Sequence, residues 1–472
     1  MQPRRSLALS RYAGWAPLIL SLWPRRFGHL LGAAIISMRT RLEQYFGFAA
    51  HNTTWRTEVL AGCTTFVAMA YIVFVNPAIL CQTGMPLAAV TAATCLCAAF
   101  GSILMGALAN YPLALAPGMG LNAYFTYTVV KGMGVPWQTA LGAVFLSGIL
   151  FLLLTLGGIR QRLLAAIPYQ LHAAVAGGIG LFIAFIGLLN CGLVVPSATT
   201  ALTLGNLHAH TTQLAVFGIL LIAILQAYRV RAAILIGILA TLALGILCHQ
   251  VKYTPSAFNP MAIRDTAFQL NIRGALHLNV LEIIFAFLFV DLFDNIGTLV
   301  AVAARADLIA PDHTIPRLDR IFFADATSTV VGSLAGTSTV TSYIESAAGV
   351  AAGGRTGVTA IVTGLLFLLA LFVAPVVGAI PNFATAPALI LVGAMMLSGI
   401  GTIEWEVPHI AIPSFLTLIA IPLTGSIATG LSFGIIAFAA LELATGRARR
   451  RHWMLYLLAA LFLLRFIYIA HI

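Results

Sequence analysis

The feature that most constrains this chain is a recurrence. Apolar runs follow one another with short polar connections from Glu58 almost to the end. A bilayer core takes roughly 20 helical residues per crossing. Lipid offers no hydrogen-bond partners, so a crossing segment must satisfy its own backbone, which makes helices of such runs. They fall near 58–80, 87–108, 117–130, 137–157, 170–189, 212–228 and 231–249. A polar segment near 250–279 follows, then runs near 281–304, 320–333, 342–353, 357–379, 386–400, 411–424 and 426–445. Only 8% of the 472 residues are charged, against about 25% in soluble domains. The expected fold is an all-α polytopic membrane protein with 14 transmembrane segments.

The basic residues supply the topology. Nearly all the positive charge is arginine, the only lysines being Lys131 and Lys252. Arg160, Arg162, Arg229, Arg231, Arg305, Arg317, Arg320, Arg355 and the Arg447–Arg451 cluster fall on alternate connections. By the positive-inside rule those connections and both ends of the 14-span body are cytoplasmic. Charges at the ends of apolar runs do not form the solvated basic face that nucleic acid requires. Residues 1–41 are arginine-rich around a short apolar stretch, and read as a basic N-terminal extension or a mis-assigned start, with Met38 as an alternative first residue. Residues 453–470 form a last apolar helix, lying on the membrane or crossing it.

Two sets of seven spans begin with opposite polarity, which is the arithmetic of an inverted repeat: 58–249 and 281–445. The third segment of each set is broken: Ala116-Pro-Gly-Met-Gly-Leu-Asn-Ala-Tyr-Phe125 and Gly332-Ser-Leu-Ala-Gly-Thr-Ser-Thr-Val-Thr-Ser-Tyr-Ile-Glu345. Paired interruptions of this kind mark a binding site at the bilayer midplane. Half-helices starting near Gly120 and Ser342 would aim backbone N–H groups at its occupant.

Of fourteen acidic residues, eleven, including Glu58 and Asp325, read as span-end or loop residues. Asp291, Asp294 and Glu345 remain at depth. An ionised Asp at a membrane helix centre costs roughly 2.5–3.5 kcal/mol on insertion scales, so two in one turn need a reason. At helical spacing Asp291, Asp294 and Thr298 share a face. Such carboxyls line a polar cavity, hold protons, or bond a backbone carbonyl structurally. Crowded carboxyls share their protons as a group and can load and release one near neutral pH. The histidines, His172 and His249 among them, fall at span ends or in loops. Asn122 either caps its half-helix or offers an amide edge to a ligand. Tyr124, Phe125 and Tyr343 can stack on a planar ligand or simply pack. Asn76-Pro77 is expected to break the end of the first span. The six cysteines read as small apolar residues, and no metal or disulfide framework is implied. No Ser/His/Asp set or dinucleotide fingerprint stands in a plausible setting, so the chain is not read as an enzyme.

Thr57-Glu-Val-Leu-Ala-Gly62, Ala116–Phe125, Asp291-Leu-Phe-Asp-Asn-Ile-Gly-Thr-Leu299 and Gly336-Thr-Ser-Thr-Val-Thr-Ser-Tyr-Ile-Glu-Ser-Ala-Ala-Gly-Val350 closely resemble the AzgA-like purine permeases of the nucleobase–ascorbate transporter superfamily. The resemblance runs from about Leu42 to the C-terminus. It implies a core domain (58–157 and 281–379) moving against a gate domain (170–249 and 386–445), usually in a homodimer. It implies short strands in spans 3 and 10, with purine between them. By position Asp294 and Glu345 match the family's eighth- and tenth-span carboxylates, and Asp291 and Asn122 match residues tied to purine recognition. Ser342, on the second broken segment, is a further expected purine contact, and Asp294, Glu345 and Asp291 are the expected proton-coupling carboxyls. The family often has Thr-Thr where this chain has Asn295-Ile296, which leaves fine specificity open. The expected function is proton-coupled uptake of hypoxanthine, guanine or adenine across the bacterial inner membrane by an elevator-type motion. No cofactor is implied beyond the proton, and no nucleic acid partner. The alternatives are a xanthine or pyrimidine carrier, an anion transporter of the same 7+7 architecture, and a membrane enzyme using the carboxyls for acid–base work.

Overall fold

A computed structural model describes residues 37–157, 169–251, 260–309, 315–373, 380–446 and 453–469. Arg160, Arg162, Lys252, Asp312, the Arg447–Arg451 cluster and most of the N-terminal extension lie outside them. The chain divides into Met1–Thr54 and Trp55–Ile472. In the first unit, residues 37–46 are helical, and Arg39 Nε donates to Glu43 Oε1 at 2.9 Å across one turn.

The second unit is mostly helical, as its apolar runs require. The first helices are α1 (Trp55–Met69), α2 (Ile72–Leu80) and α3 (Leu87–Leu104). Strand β1 (Leu115–Pro117) precedes α4 (Met119–Ala123), which continues as a π-helical stretch to Gly132. Next are α5 (Trp137–Leu156), α6 (Tyr169–Asn190), the hairpin β2 (Val194–Ser197) and β3 (Ala201–Leu204), α7 (His210–Ala227) and α8 (Ala233–Leu247). The polar segment carries α9 (Ile272–Ala275) and leads into the long α10 (Leu278–Arg305) and α11 (Leu318–Ala335). Strand β4 (Val340–Ser342) leads to α12 (Ser346–Ala351), then α13 (Gly357–Ala370), α14 (Asn382–Met396), α15 (Pro408–Thr424), α16 (Ile427–Ala444) and α17 (Trp453–Ile469). Among the described residues, eight helices are long and apolar enough to cross a membrane, and four shorter apolar helices accompany them. The chain is therefore a multi-pass membrane protein.

Two sets of helices pack mainly within themselves. Helix α13 lies on α1 and α3, and α11 on α5 and α3. In the other set, α6 holds α14 and α15, while α7 holds α8 and α14. Small residues let backbones touch, as packing inside a bilayer favours. A Cβ on Gly106 would lie 2.2 Å from the Gly357 carbonyl oxygen, and one on Gly357 2.0 Å from that of Gly106.

The two broken segments meet. Strands β1 and β4 pair antiparallel, with Leu115 opposite Ser342, Ala116 opposite Thr341 and Pro117 opposite Val340. Extended backbone at membrane depth must be satisfied by protein. Ser102 Oγ accepts from Leu115 N and donates to its carbonyl; Ser346 Oγ accepts from Ala114 N; Thr329 Oγ1 donates to Val340 O. Gly336, at φ +96°, ends α11 ahead of β4, a backbone region glycine enters without strain.

Several expectations are corrected here. The second half-helix starts at Ser346, not Ser342, because residues 340–342 are held extended by pairing with β1. The first span breaks at Ala70–Tyr71, while Pro77 sits inside α2. Asp325 is no span-end residue: it is buried in α11. Glu58 is also fully buried, and caps the start of α13 from a distance. Its carboxylate accepts from Arg355 N at 3.0 Å, Thr356 N at 3.3 Å and Thr359 Oγ1 at 2.6 Å. Hydropathy along the chain does not report contacts made 300 residues away.

Candidate functional site

A cavity of about 250 Å³ opens between the two helix sets. From one set it is lined by the α4 start (Gly118–Gly120), by Asp294, Gly297 and Thr298 of α10, and by residues 341–345. The other set supplies His172 and Ala176 of α6 and the end of α14. Helical period sorts the α10 residues: Asp294, Gly297, Thr298 and Ala301 form one stripe. Among the described residues, no lysine or arginine lines the cavity.

Glu345 sits where the extended segment turns into α12, at its first half-in position. Its Oε1 accepts a 2.5 Å hydrogen bond from the Tyr71 hydroxyl. Tyr71 is placed by the break between α1 and α2 and is itself almost fully buried. The neighbouring Tyr343 hydroxyl donates to the Pro117 carbonyl, tying the two broken segments together once more. Asp294 faces the same space: a Cβ on Gly118 would come within 3.8 Å of its Oδ2, and within 2.7 Å of Thr341 Cγ2. The second contact is too close, so any residue but glycine at 118 would displace the Thr341 side chain. A Cβ on Gly120 would strike Ile179 Cγ2 of α6 at 2.4 Å, so the α4 start also rests closely on the opposite set.

The sequence candidates separate. Asp294, Ser342 and Glu345 reach the cavity. Asp291 does not line it; one turn nearer the start of α10, its side chain is buried in the protein. Asn122 does not line it either. It is fully buried, its Oδ1 accepting from the Ser338 hydroxyl while its Nδ2 has no partner among the described residues. Tyr124 and Phe125 are core residues, with Tyr124 packed edge-to-face on Phe287 at 5.2 Å. Tyr71 lines the cavity without being among the sequence candidates, His172 lines it although the sequence places it only at a span end, and Asn295 stands behind Ser342. Asn295 follows Asp294 but points to a different side of α10, where its Oδ1 accepts from Ser342 Oγ at 2.9 Å. Its sequence signal is the departure from the family pattern, Asn295-Ile296 where the family often has Thr-Thr. Tyr71 and His172 had none, since each is a single polar ring near the end or a break of an apolar run. The six cysteines are free.

Chemically, the cavity offers two carboxyls without a basic partner on its wall, one already engaged by a phenol. An anion would meet repulsion there, whereas a neutral ligand with N–H donors would meet charge-assisted acceptors.

A family model, Xan_ur_permease, described as Permease family, matches residues 56–433. The chain belongs to this permease family. The protein named adenine permease AdeP, of Escherichia coli K12, is 43% identical over 428 residues, covering 91% of this permease and 96% of that chain. The one named guanine/hypoxanthine permease PbuG, of Bacillus subtilis 168, is 43% identical over 440 residues, covering 91% and 100%. Among solved structures, the murine Solute Carrier 26 family member A9 anion transporter superposes with a TM-score of 0.64 at 12% identity. It covers 95% of this permease and 78% of that chain. At that identity the likeness speaks for the fold alone.

Proposed function

We propose that this permease takes up purine nucleobases (hypoxanthine, guanine or adenine) across the bacterial inner membrane, coupled to protons. The observation that carries the reading is the joint presence of Asp294 and Glu345 on one cavity with no lysine or arginine among its described lining residues. A purine is planar and rich in N–H groups, and hydrogen bonds from these to a carboxylate contribute about 1.5–3 kcal/mol each. A proton on one carboxyl would remove the repulsion between the two and lower the charge of the loaded site. The names of two relatives, adenine permease and guanine/hypoxanthine permease, support the substrate class.

The remaining architecture belongs to the same proposal. Fourteen segments form a 7+7 inverted repeat, the first set of helices acting as core and the second as gate. The division of helix packing into two sets supports this. The cavity touches the beginning of α6 and the end of α14. The arginine pattern assigns those ends to the cytoplasmic side, so the cavity corresponds to an inward-open state. The core then carries the loaded carboxyls past the gate helices, within a homodimer. An anion transporter of this fold is the competing reading, and the two carboxyls on the cavity weigh against it.

The test is uptake of labelled adenine, guanine, hypoxanthine, xanthine and uracil by cells lacking their own carriers, with and without a protonophore. Purine accumulation that collapses with the protonophore is expected. Absence of purine accumulation refutes the substrate; indifference to the protonophore refutes the coupling.

A further inference from the structure

Ser342 and Asn295 form a pair whose chemistry has a direction. Ser342 lines the cavity on strand β4; Asn295 lies behind it on α10 and is fully buried. The Ser342 hydroxyl has one proton, and it donates that proton to Asn295 Oδ1 at 2.9 Å. What the hydroxyl can still turn towards the cavity is a lone pair. Among the described residues Asn295 Nδ2 has no acceptor, so there the Ser342 contact is what holds this buried amide.

We infer that Asn295 is a specificity-determining residue that acts through Ser342: it holds the hydroxyl as an acceptor, so that the site favours a purine presenting an N–H there. This rests on the purine reading above and sharpens it. Relatives named for adenine and for guanine/hypoxanthine are equally similar to this chain, at 43% identity. The two substrate classes differ at the purine 6-position, amino in one and oxo in the other. That is a donor against an acceptor, the property Asn295 controls. With the purine 6-position turned towards Ser342, which is part of the inference, the accepting hydroxyl favours the 6-amino purine.

Sites that hydrogen-bond a ligand group discriminate because a mismatch leaves a buried polar atom unpaired. Replacing Asn295 with leucine removes the acceptor behind Ser342 and frees its proton to donate into the cavity. A 6-oxo purine then gains a partner and the 6-amino purine loses its advantage. The experiment is binding of adenine and hypoxanthine to the purified, membrane-reconstituted protein and its N295L, S342A and N295L/S342A variants. The expected result is an adenine-to-hypoxanthine affinity ratio about tenfold lower in N295L. Ser342→Ala lowers the ratio as well, because the accepting lone pair is gone, and adding Asn295→Leu to Ser342→Ala changes it no further. A ratio unchanged or raised in N295L overturns the inference, as does an equal effect of Asn295→Leu with and without Ser342. If N295L does not fold, the ratio in Ser342→Ala alone decides, and no fall overturns the inference. Failure of the wild-type protein to bind either purine is a different outcome, and removes the purine reading itself.

Discussion

Replacing Tyr71 with phenylalanine deletes one atom, the hydroxyl that donates to Glu345 Oε1 at 2.5 Å. Tyr71 is 1% exposed, so the ring stays packed and water does not simply replace the lost donor. Hydrogen bonds to charged groups contribute about 1.5–3 kcal/mol. At 1.36 kcal/mol per factor of ten, that is a change of roughly 10- to 150-fold. If the bond holds Glu345 in the geometry that receives the ligand, purine affinity falls by a factor in that range. The assay is purine binding to the reconstituted protein, in a double-mutant cycle of Tyr71→Phe and Glu345→Gln. The phenol and the carboxylate touch, so their effects should not add. Tyr71→Phe should weaken binding strongly in the native background and little once Glu345 is glutamine. Native affinity in Tyr71→Phe, or additive effects in the double variant, would refute the assignment of Tyr71 as the residue that positions Glu345.

Asp294→Asn and Glu345→Gln should each abolish purine uptake while the protein still reaches the membrane, checked by transport and by surface abundance. Asp291→Asn, away from the cavity lining, should leave purine affinity near the native value. A Cβ on Gly297 meets nothing within 4 Å and points into open space on the cavity side of α10. Gly297→Leu should therefore accumulate normally yet lose purine binding, measured by titration of the purified protein. Glu58→Ala strands two backbone N–H groups and leaves the Thr359 hydroxyl only the longer 3.4 Å contact with the backbone carbonyl of residue 58. A buried donor left unsatisfied costs about 1–3 kcal/mol, so the thermal midpoint should drop clearly, with Glu58→Gln retaining part of it.

Asp294 and Glu345, which line the cavity, were legible as candidates because charge inside an apolar run has few explanations. Asp291 was equally visible and equally expensive, yet its carboxyl is buried outside the cavity lining. What separates it from Asp294 is a single helical turn, and which turn of α10 meets the cavity depends on where α4 and β4 abut it. Asn122 shows the same limit: its amide is bonded to Ser338, a residue 216 positions away. Glu58 and Asp325 show the converse, since both stood near span ends in the sequence and both are buried in the fold.

The sequence by itself determined that the chain spans a membrane many times, that two segments are broken at matching places, and that three carboxyls lie at depth. These are properties of composition and period along one dimension, and the bilayer enforces them segment by segment. Only the tertiary structure decided that β1 pairs with β4, that Tyr71 reaches Glu345, that His172 comes from the opposite helix set, and that Asn295 stands behind Ser342. Each of these joins residues from different helices, and helix-to-helix packing, not hydropathy, sets which side chains converge.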